Sequence, residues 1–156
     1  MLTLYQGNPI IEWYYTTAST TMLNGGVVQL SSGQLILATA TSTLHLGIIM
    51  RDFTSTAVQA DYTSSVKVPV LIPDEETIFI ADVKLGTAAF TSSVVGTQCQ
   101  LYIGTGSESA PNTMNASDCY VDPNATSHLQ VTIVGYISQT KILVKLNSNI
   151  LYKNAS

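Results

Sequence analysis

The sequence predicts an all-β protein, a compact antiparallel β-barrel or sandwich with an extended N-terminal arm. Apolar residues never recur at helical spacing over a helix-length window, whereas short alternating segments are separated by turn residues about every eight to twelve positions. The length of 156 residues suits a single domain with a real core. We expect residues 1–23 to form the arm and residues 24–156 to form one β-barrel-like domain.

The N-terminal arm is rich in aromatic residues. It contains Tyr5, Trp13, Tyr14 and Tyr15, and Asn8-Pro9 interrupts it. Aromatic side chains with so little periodicity are typical of contact surfaces, so we predict that these four residues bind a partner. An ordinary edge strand is an equally good interpretation of the segment, and the sequence leaves both open.

Turn signals and apolar runs alternate after the arm. Residues 24–26, Asn-Gly-Gly, tolerate positive φ and predict a turn. Runs 27–30 and 35–40 flank a four-residue loop that contains glycine, which predicts a hairpin. Residues 44–50 predict a further strand.

The central stretch of the chain predicts a β-meander. Val66, Val68, Val70 and Ile72 alternate with other residues, as in a half-buried strand. Residues 73–76, Pro-Asp-Glu-Glu, then predict a turn, because proline fixes φ and the acids favour water. We expect the apolar run that follows to pair back on the first strand.

The clearest hairpin lies near the C-terminus, where residues 130–137 and 141–146 flank a Ser-Gln-Thr turn. Lys141 and Lys145 are expected to point to water. The opposite face is then apolar and predicts the core side of this hairpin: Val131, Ile133, Ile142, Val144 and Leu146.

Composition and charge exclude several functions. Only 10% of residues are charged, against about 25% in soluble domains, and the net charge is −4. An acidic chain without a basic patch is not expected to bind nucleic acid. The apolar runs are too short to span a membrane, and no secretory signal is evident, so we expect synthesis in a cytoplasm. A charge-poor surface rich in hydroxyl groups suits a protein that packs against neighbours.

The two cysteines allow two interpretations. Cys99 and Cys119 each lie in a short strand-like run. If these runs pair with the sulfur atoms facing each other, a disulfide would close a loop of about 20 residues and contribute about 3 kcal/mol. Otherwise the cysteines are reduced, buried, small apolar residues, which suits a chain without a secretory signal.

No residue pattern indicates catalysis. His45 and His128 have no acidic or cysteine partner at metal-ligand spacing, so each is expected to be an exposed or hydrogen-bonded histidine. Asp74, Glu75 and Glu76 are adjacent in a turn, as solvated acids are. A final cluster could offer oxygens to Ca²⁺, but without EF-hand spacing it favours a polar turn: Asp118, Asp122 and Asn124. We therefore predict no catalytic residue, no cofactor and no metal, and expect that the protein is not an enzyme.

Several segments resemble the capsid decoration, or cement, proteins of tailed bacteriophages. The resemblance lies in patterns of glycine and β-branched residues: 24–30, 35–42, 46–50, 80–83, 95–97, Tyr102 and 131–135. It implies a compact β-barrel without enzymatic activity that binds the outside of an icosahedral head. It also implies the major capsid protein as partner, a homotrimer at threefold positions, and localisation on the virion exterior.

The main alternative is a receptor- or glycan-binding β-module of a phage fibre or tail tip. Residues 104–115 are rich in Gly, Ser, Thr, Asn and Pro and predict a long loop. With Tyr102 and Tyr120 nearby, this loop would form the recognition surface.

Overall fold

The computed structural model describes residues 1–17, 19–39, 41–55, 67–84, 91–104 and 118–147. These residues contain β-strands and one short 3₁₀ turn, Ser92–Val94, and no α-helix. The all-β prediction is therefore confirmed. The predicted loop 104–115 falls almost wholly outside the described residues.

The strands are short, as the closely spaced turn signals predict. In chain order they are β1 Leu2–Gln6, β2 Ile10–Tyr15, β3 Thr21–Met22, β4 Val27–Ser31, β5 Gln34–Leu37, β6 Gly47–Ile49, β7 Phe53–Thr54, β8 Lys67–Ile72, β9 Ile78–Asp82, β10 Gln98–Ile103, β11 Cys119–Asp122, β12 Val131–Ser138 and β13 Lys141–Leu146.

A six-stranded antiparallel sheet has the order β1-β9-β13-β12-β10-β11. Its centre is the predicted C-terminal hairpin, in which Val131 pairs with Leu146 and Ile133 with Val144. All four of these side chains are buried, and Lys141 is exposed. The hairpin and its core face are confirmed.

A five-stranded antiparallel sheet has the order β2-β8-β6-β4-β5, and β3 pairs with β7 separately. The predicted hairpin is the β4–β5 pair. Its turn is tighter than predicted, because Ser31 pairs with Gln34 and only Ser32 and Gly33 lie between them, both at positive φ. Such a two-residue turn matches the twist of the flanking strands.

The sheets pack as a sandwich, and the central strands of the five-stranded sheet are buried on both faces. Val27, Ile48 and Leu71 join a first core with the inner face of the six-stranded sheet. Their neighbours Val28, Ile49 and Val70 join a second core with Met22 and Leu35. Successive side chains on a strand point to opposite faces, so adjacent apolar pairs serve two cores at once. Of the two predicted architectures, a barrel or a sandwich, the protein forms the sandwich, and no closed barrel is found in the described residues.

The predicted β-meander is wrong. Strand β8 lies in the five-stranded sheet, whereas β9 lies in the six-stranded sheet between β1 and β13. A turn forms one residue later than predicted, at residues 74–77, and the Asp74 carboxylate accepts from the N–H of Glu76 at 3.0 Å and from the Thr77 hydroxyl at 2.8 Å. The turn carries the chain from one sheet to the other instead of closing a hairpin.

Residues 1–23, predicted as an arm, contribute β1, β2 and β3. Strand β1 is the outermost strand of the six-stranded sheet and β2 the outermost strand of the five-stranded sheet. The sequence allows two interpretations of this segment, a partner-binding arm or an ordinary edge strand, and β1 and β2 pair as edge strands. The division of the chain at residue 23 stays a prediction.

The buried side chain of Gln130 hydrogen-bonds the six-stranded sheet and the segment that follows β5. Gln130 is 1% exposed. Its Oε1 accepts from the N–H of Leu101 on β10 at 2.8 Å, and its Nε2 donates to the carbonyls of Thr39 and Ser42, each at 3.0 Å. One amide group therefore satisfies polar groups of both the six-stranded sheet and the segment after β5.

Candidate interaction surface

The first two strands carry five of the eleven exposed large apolar side chains among the described residues. Gly7, at a φ of 121°, lies in the turn where the chain passes from β1 to β2. The exposed side chains on these strands form what we call the N-terminal apolar surface: Leu4 (40% exposed), Tyr5 (56%), Ile10 (59%), Ile11 (53%) and Trp13 (56%).

The surface exists because β2 extends beyond the cover of the other sheet. Ile11 lies directly opposite Leu71 of β8, so the two side chains share one face. Leu71 is covered by the first core, but Ile11 is more than half exposed. Trp13, opposite Pro69, continues the same uncovered face.

A cleft opens where this cover ends. It has a volume of about 300 Å³ and lies between β1 and the five-stranded sheet. Its walls combine buried core side chains with partly exposed ones from both sheets: Leu2, Leu4, Ile48, Met50, Leu71 and Phe79. An uncovered apolar strand next to an apolar cleft is a typical feature of protein-binding surfaces.

The four predicted partner-binding residues divide into two pairs. Tyr5 and Trp13 belong to the N-terminal apolar surface. Tyr14 is partly buried against the second core, and its hydroxyl hydrogen-bonds the Glu12 carboxylate. Tyr15 is also partly buried, and the Lys67 ammonium lies 5.0 Å from its ring centroid. The contact role of all four residues stays a prediction.

Sequence analysis missed Leu4, Ile10 and Ile11. The signal that could have found the last two is the adjacent Ile-Ile pair in a short strand. Adjacent residues point to opposite faces, so both are buried only if the strand is covered on both sides. At the edge of a sheet, without such cover, both are exposed.

The candidate chemical residues are dispersed. His128 is exposed. Asp122 forms an ion pair with Lys84 at 3.2 Å, and Asp118 lies 3.5 Å from the amino group of Met1. Within the ranges that the structure describes, no three His, Cys, Asp or Glu side chains are close enough together to hold a metal ion.

His45 differs from its prediction. It is fully buried, and neither Nδ1 nor Nε2 has a hydrogen-bond partner. The expectation of an exposed or hydrogen-bonded histidine is therefore wrong. Burial lowers the pKa of His45 to about 4, because the charged imidazolium cannot be solvated there.

The cysteines do not face each other. Strands β10 and β11 pair antiparallel, but Cys119 lies opposite Ile103, four residues along the strand from Cys99. Four residues of strand span about 13 Å, whereas a disulfide requires Cα atoms within about 7 Å. Both thiols are free and fully buried, and burial raises the pKa of Cys99 to about 12 and that of Cys119 to about 11.

The tyrosines of the alternative function lie on the same strand pair. Tyr102 pairs with Tyr120 across β10 and β11. The Lys84 ammonium lies 4.0 Å from the centroid of the Tyr102 ring, so it covers one ring face. Tyr102 and Ile103 also line an apolar groove of about 330 Å³, together with residues 37–39.

The sequence matches no model of a known protein family and no curated protein. Nor do the described residues include a helix with the length and apolar character needed to cross a bilayer.

Proposed function

We propose that this chain is a virion structural protein, a capsid decoration or cement protein that binds the outer surface of an icosahedral phage head. In this role it has no enzymatic activity and braces the contacts between capsomers, with the major capsid protein as its partner. The homotrimer and the position on the capsid exterior belong to the same proposal.

The observation that carries the proposal is the N-terminal apolar surface. A protein that worked alone in solution would expose few contiguous apolar residues, because such a surface promotes association. Ile11 and Trp13 lie on one face of the edge strand β2 and Ile10 on the other, and all three are more than half exposed. Tryptophan and tyrosine dominate the binding energy of many interfaces, so Trp13 and Tyr5 are suitable anchors.

The low charge of the chain supports the same role. With 10% charged residues, the surface offers little electrostatic repulsion to a neighbouring shell. A decoration protein also binds in many copies, so a modest contact per copy suffices to brace the whole particle.

The experiment uses purified particles from the source that encodes the chain. Quantitative mass spectrometry should find the chain in hundreds of copies per head, whereas a tail-tip protein is present in a handful. Particles that lack the chain, or contain only a few copies, would contradict the proposal.

A second experiment tests the surface itself. The triple variant Ile10→Thr, Ile11→Thr, Trp13→Ser should bind undecorated heads about 100-fold more weakly, since each residue removes more than about 1 kcal/mol of contact. Its matched control replaces three exposed apolar residues elsewhere: Val95→Thr, Leu129→Ser, Ile137→Thr. Equal binding of the two variants would exclude the N-terminal apolar surface as the contact.

The receptor- or glycan-binding module is the second candidate. The observation that favours it is the apolar groove beside Tyr102, which offers a binding site at the end of β10. The covered face of the Tyr102 ring counts against stacking on a sugar. The copy number per particle separates the two functions.

A further inference from the structure

Within the residues that the structure describes, strand β2 has an unpaired main-chain edge over residues 10–13, and just beyond the strand Thr16 bridges to Leu35 of β5. Strand β2 pairs with β8 along its whole length, Ile10 to Tyr15, and it is the outermost strand of its sheet. A free edge offers N–H and C=O groups to an additional strand. Which residues offer them follows from the hydrogen bonds at each end of the strand pair.

Two independent hydrogen bonds show which β2 residues point outward. Just after β2, the N–H of Thr17 donates to the carbonyl of Leu35 at 3.1 Å, on the side away from β8. Main-chain groups alternate sides along a strand, so those of Trp13 and Ile11 also point away from β8.

The neighbouring strand gives the same answer. The carbonyl of Pro69 accepts from the N–H of Met50 at 3.1 Å, so it points toward β6 and away from β2. Pro69 lies directly opposite Trp13, and their pair is therefore not hydrogen-bonded. The N–H and C=O groups of Trp13 must point to the open edge.

A single charge lies between the two outward-facing residues. Glu12 is exposed and lies between Ile11 and Trp13. One of its carboxylate oxygens already accepts from the Tyr14 hydroxyl. The main-chain groups of Glu12 point toward β8, so a residue of an added strand directly opposite Glu12 would form a non-hydrogen-bonded pair with it. The Cα atoms of such a pair are only about 4.5 Å apart, so that residue would lie close to the negative charge.

This charge disfavours a second copy of the chain as the added strand. If two copies pair antiparallel about a twofold axis, with Ile11 of each opposite Trp13 of the other, Glu12 lies opposite Glu12 of the other copy. Like charges directly opposite each other are destabilising. A strand with a basic residue at that position has the opposite effect.

We propose that the edge of β2 binds an extended segment of another protein as an additional antiparallel strand, with a Lys or Arg opposite Glu12. Apolar residues of the segment lie opposite Ile11 and Trp13, and their main-chain groups exchange hydrogen bonds with these two residues. The inference rests on the proposed function, because it describes how that partner is held.

The test uses a synthetic peptide and the intrinsic fluorescence of Trp13, the single tryptophan of the chain. The probe is the capped heptapeptide Thr-Thr-Val-Lys-Val-Thr-Thr, and its matched control has Glu in place of Lys. We expect the Lys peptide to bind about fivefold more tightly. In Glu12→Lys protein the preference should reverse.

A second pair of variants tests the main chain. Ile11→Pro removes an outward N–H without touching the bonds to β8, and edge strands tolerate proline. Its matched control, Ile11→Thr, keeps the N–H. We expect Ile11→Pro to lose peptide binding and Ile11→Thr to retain it, with slowed hydrogen exchange at the Trp13 amide on binding.

Three outcomes overturn the proposal. They are no binding of either peptide up to about 1 mM, a preference that Glu12→Lys leaves unchanged, and equal binding by Ile11→Pro and Ile11→Thr. Failure of the proposed function gives a different result: the peptide binds with the expected preference, but the chain is absent from particles.

Discussion

At the residue scale, His45 makes the stability of the fold depend on pH. It is fully buried with both ring nitrogens unpartnered. Its pKa is lowered by burial to about 4, whereas an unfolded chain has a histidine pKa near 6.5. The folded state therefore resists protonation, and its full stability is present only above about pH 6.5.

The first prediction follows from this pKa. As pH falls from 6.5 toward 4, His45 becomes protonated in the unfolded state but stays neutral in the folded state. At pH 5 the loss reaches about 2 kcal/mol of unfolding free energy. The measurement is urea unfolding of the wild type and of His45→Leu at pH 7 and at pH 5. We expect the unfolding free energy of the wild type to fall by about 2 kcal/mol more than that of His45→Leu between the two pH values. Parallel pH profiles would contradict the prediction.

The second prediction concerns Gln130, the buried amide that joins the six-stranded sheet to the segment after β5. Gln130→Leu removes the partner of the Leu101 N–H and of the Ser42 carbonyl, whereas the Thr39 carbonyl keeps its hydrogen bond from the N–H of Ser42 at 3.1 Å. We expect a loss of about 2 kcal/mol of unfolding free energy, because each of the two unsatisfied buried groups costs about 1 kcal/mol or more. The control Gln98→Leu, at an exposed position of β10, should change stability by less than about 0.5 kcal/mol.

At the scale of the strand, the pairing of β6 with β8 depends on a missing side chain. A Cβ added to Gly47 would lie 2.1 Å from the carbonyl oxygen of Leu71, which is backbone and cannot move aside. The strands can approach this closely only because position 47 has no side chain.

We therefore predict that Gly47→Ala costs about 3 kcal/mol or more of unfolding free energy, because β8 must shift. The matched control is Gly96→Ala. Gly96 has a φ of 92° and no atom within 4 Å of its added Cβ, so that substitution should cost only about 1 kcal/mol of backbone strain. Thermal unfolding of the two variants under one condition compares them, and equal losses would show that the close approach is unimportant.

Local patterns predicted the strands better than their partners. The alternation in β12 and β13, with a tight turn between them, specified a hairpin because the two runs could only bury one shared face. The runs that became β8 and β9 carried the same kind of signal. Adjacent Val70 and Leu71 needed two cores, so β8 was drawn into the five-stranded sheet while β9 joined the other. Such a choice depends on residues far along the chain.

The candidate site was predictable only in part. Tyr5 and Trp13 stood out because aromatic residues are conspicuous in a polar segment. Ile10 and Ile11 did not, because an apolar pair in a strand is usually buried, and only the three-dimensional extent of the opposite sheet leaves them exposed. Sequence analysis placed His45 in a strand over residues 44–50, but β6 begins at Gly47, and the lack of partners at His45 depends on tertiary packing.

At the scale of the whole molecule, one side of the sandwich differs from the rest. Among the described residues, β1 and β2 are the outermost strands of their sheets, and they bear the N-terminal apolar surface. Natural proteins protect such edges with charged residues, because an open apolar edge pairs with its own copies. Glu12 is the only charged residue on β1 and β2, so protection of this edge depends on one side chain.

The last prediction follows from that dependence. Replacing Glu12 with threonine removes the like-charge contact from the twofold pairing of β2 with β2 and introduces a residue that favours strands. We expect sedimentation velocity of Glu12→Thr to show a species of twice the wild-type mass, with a population that rises with protein concentration. The double variant Ile11→Pro, Glu12→Thr should return to the wild-type mass, because the main-chain bonds of that pairing are lost. If Glu12→Thr sediments as the wild type does, the edge is protected by something other than Glu12. If the doubled mass persists in the double variant, the new contact lies away from the main chain of β2.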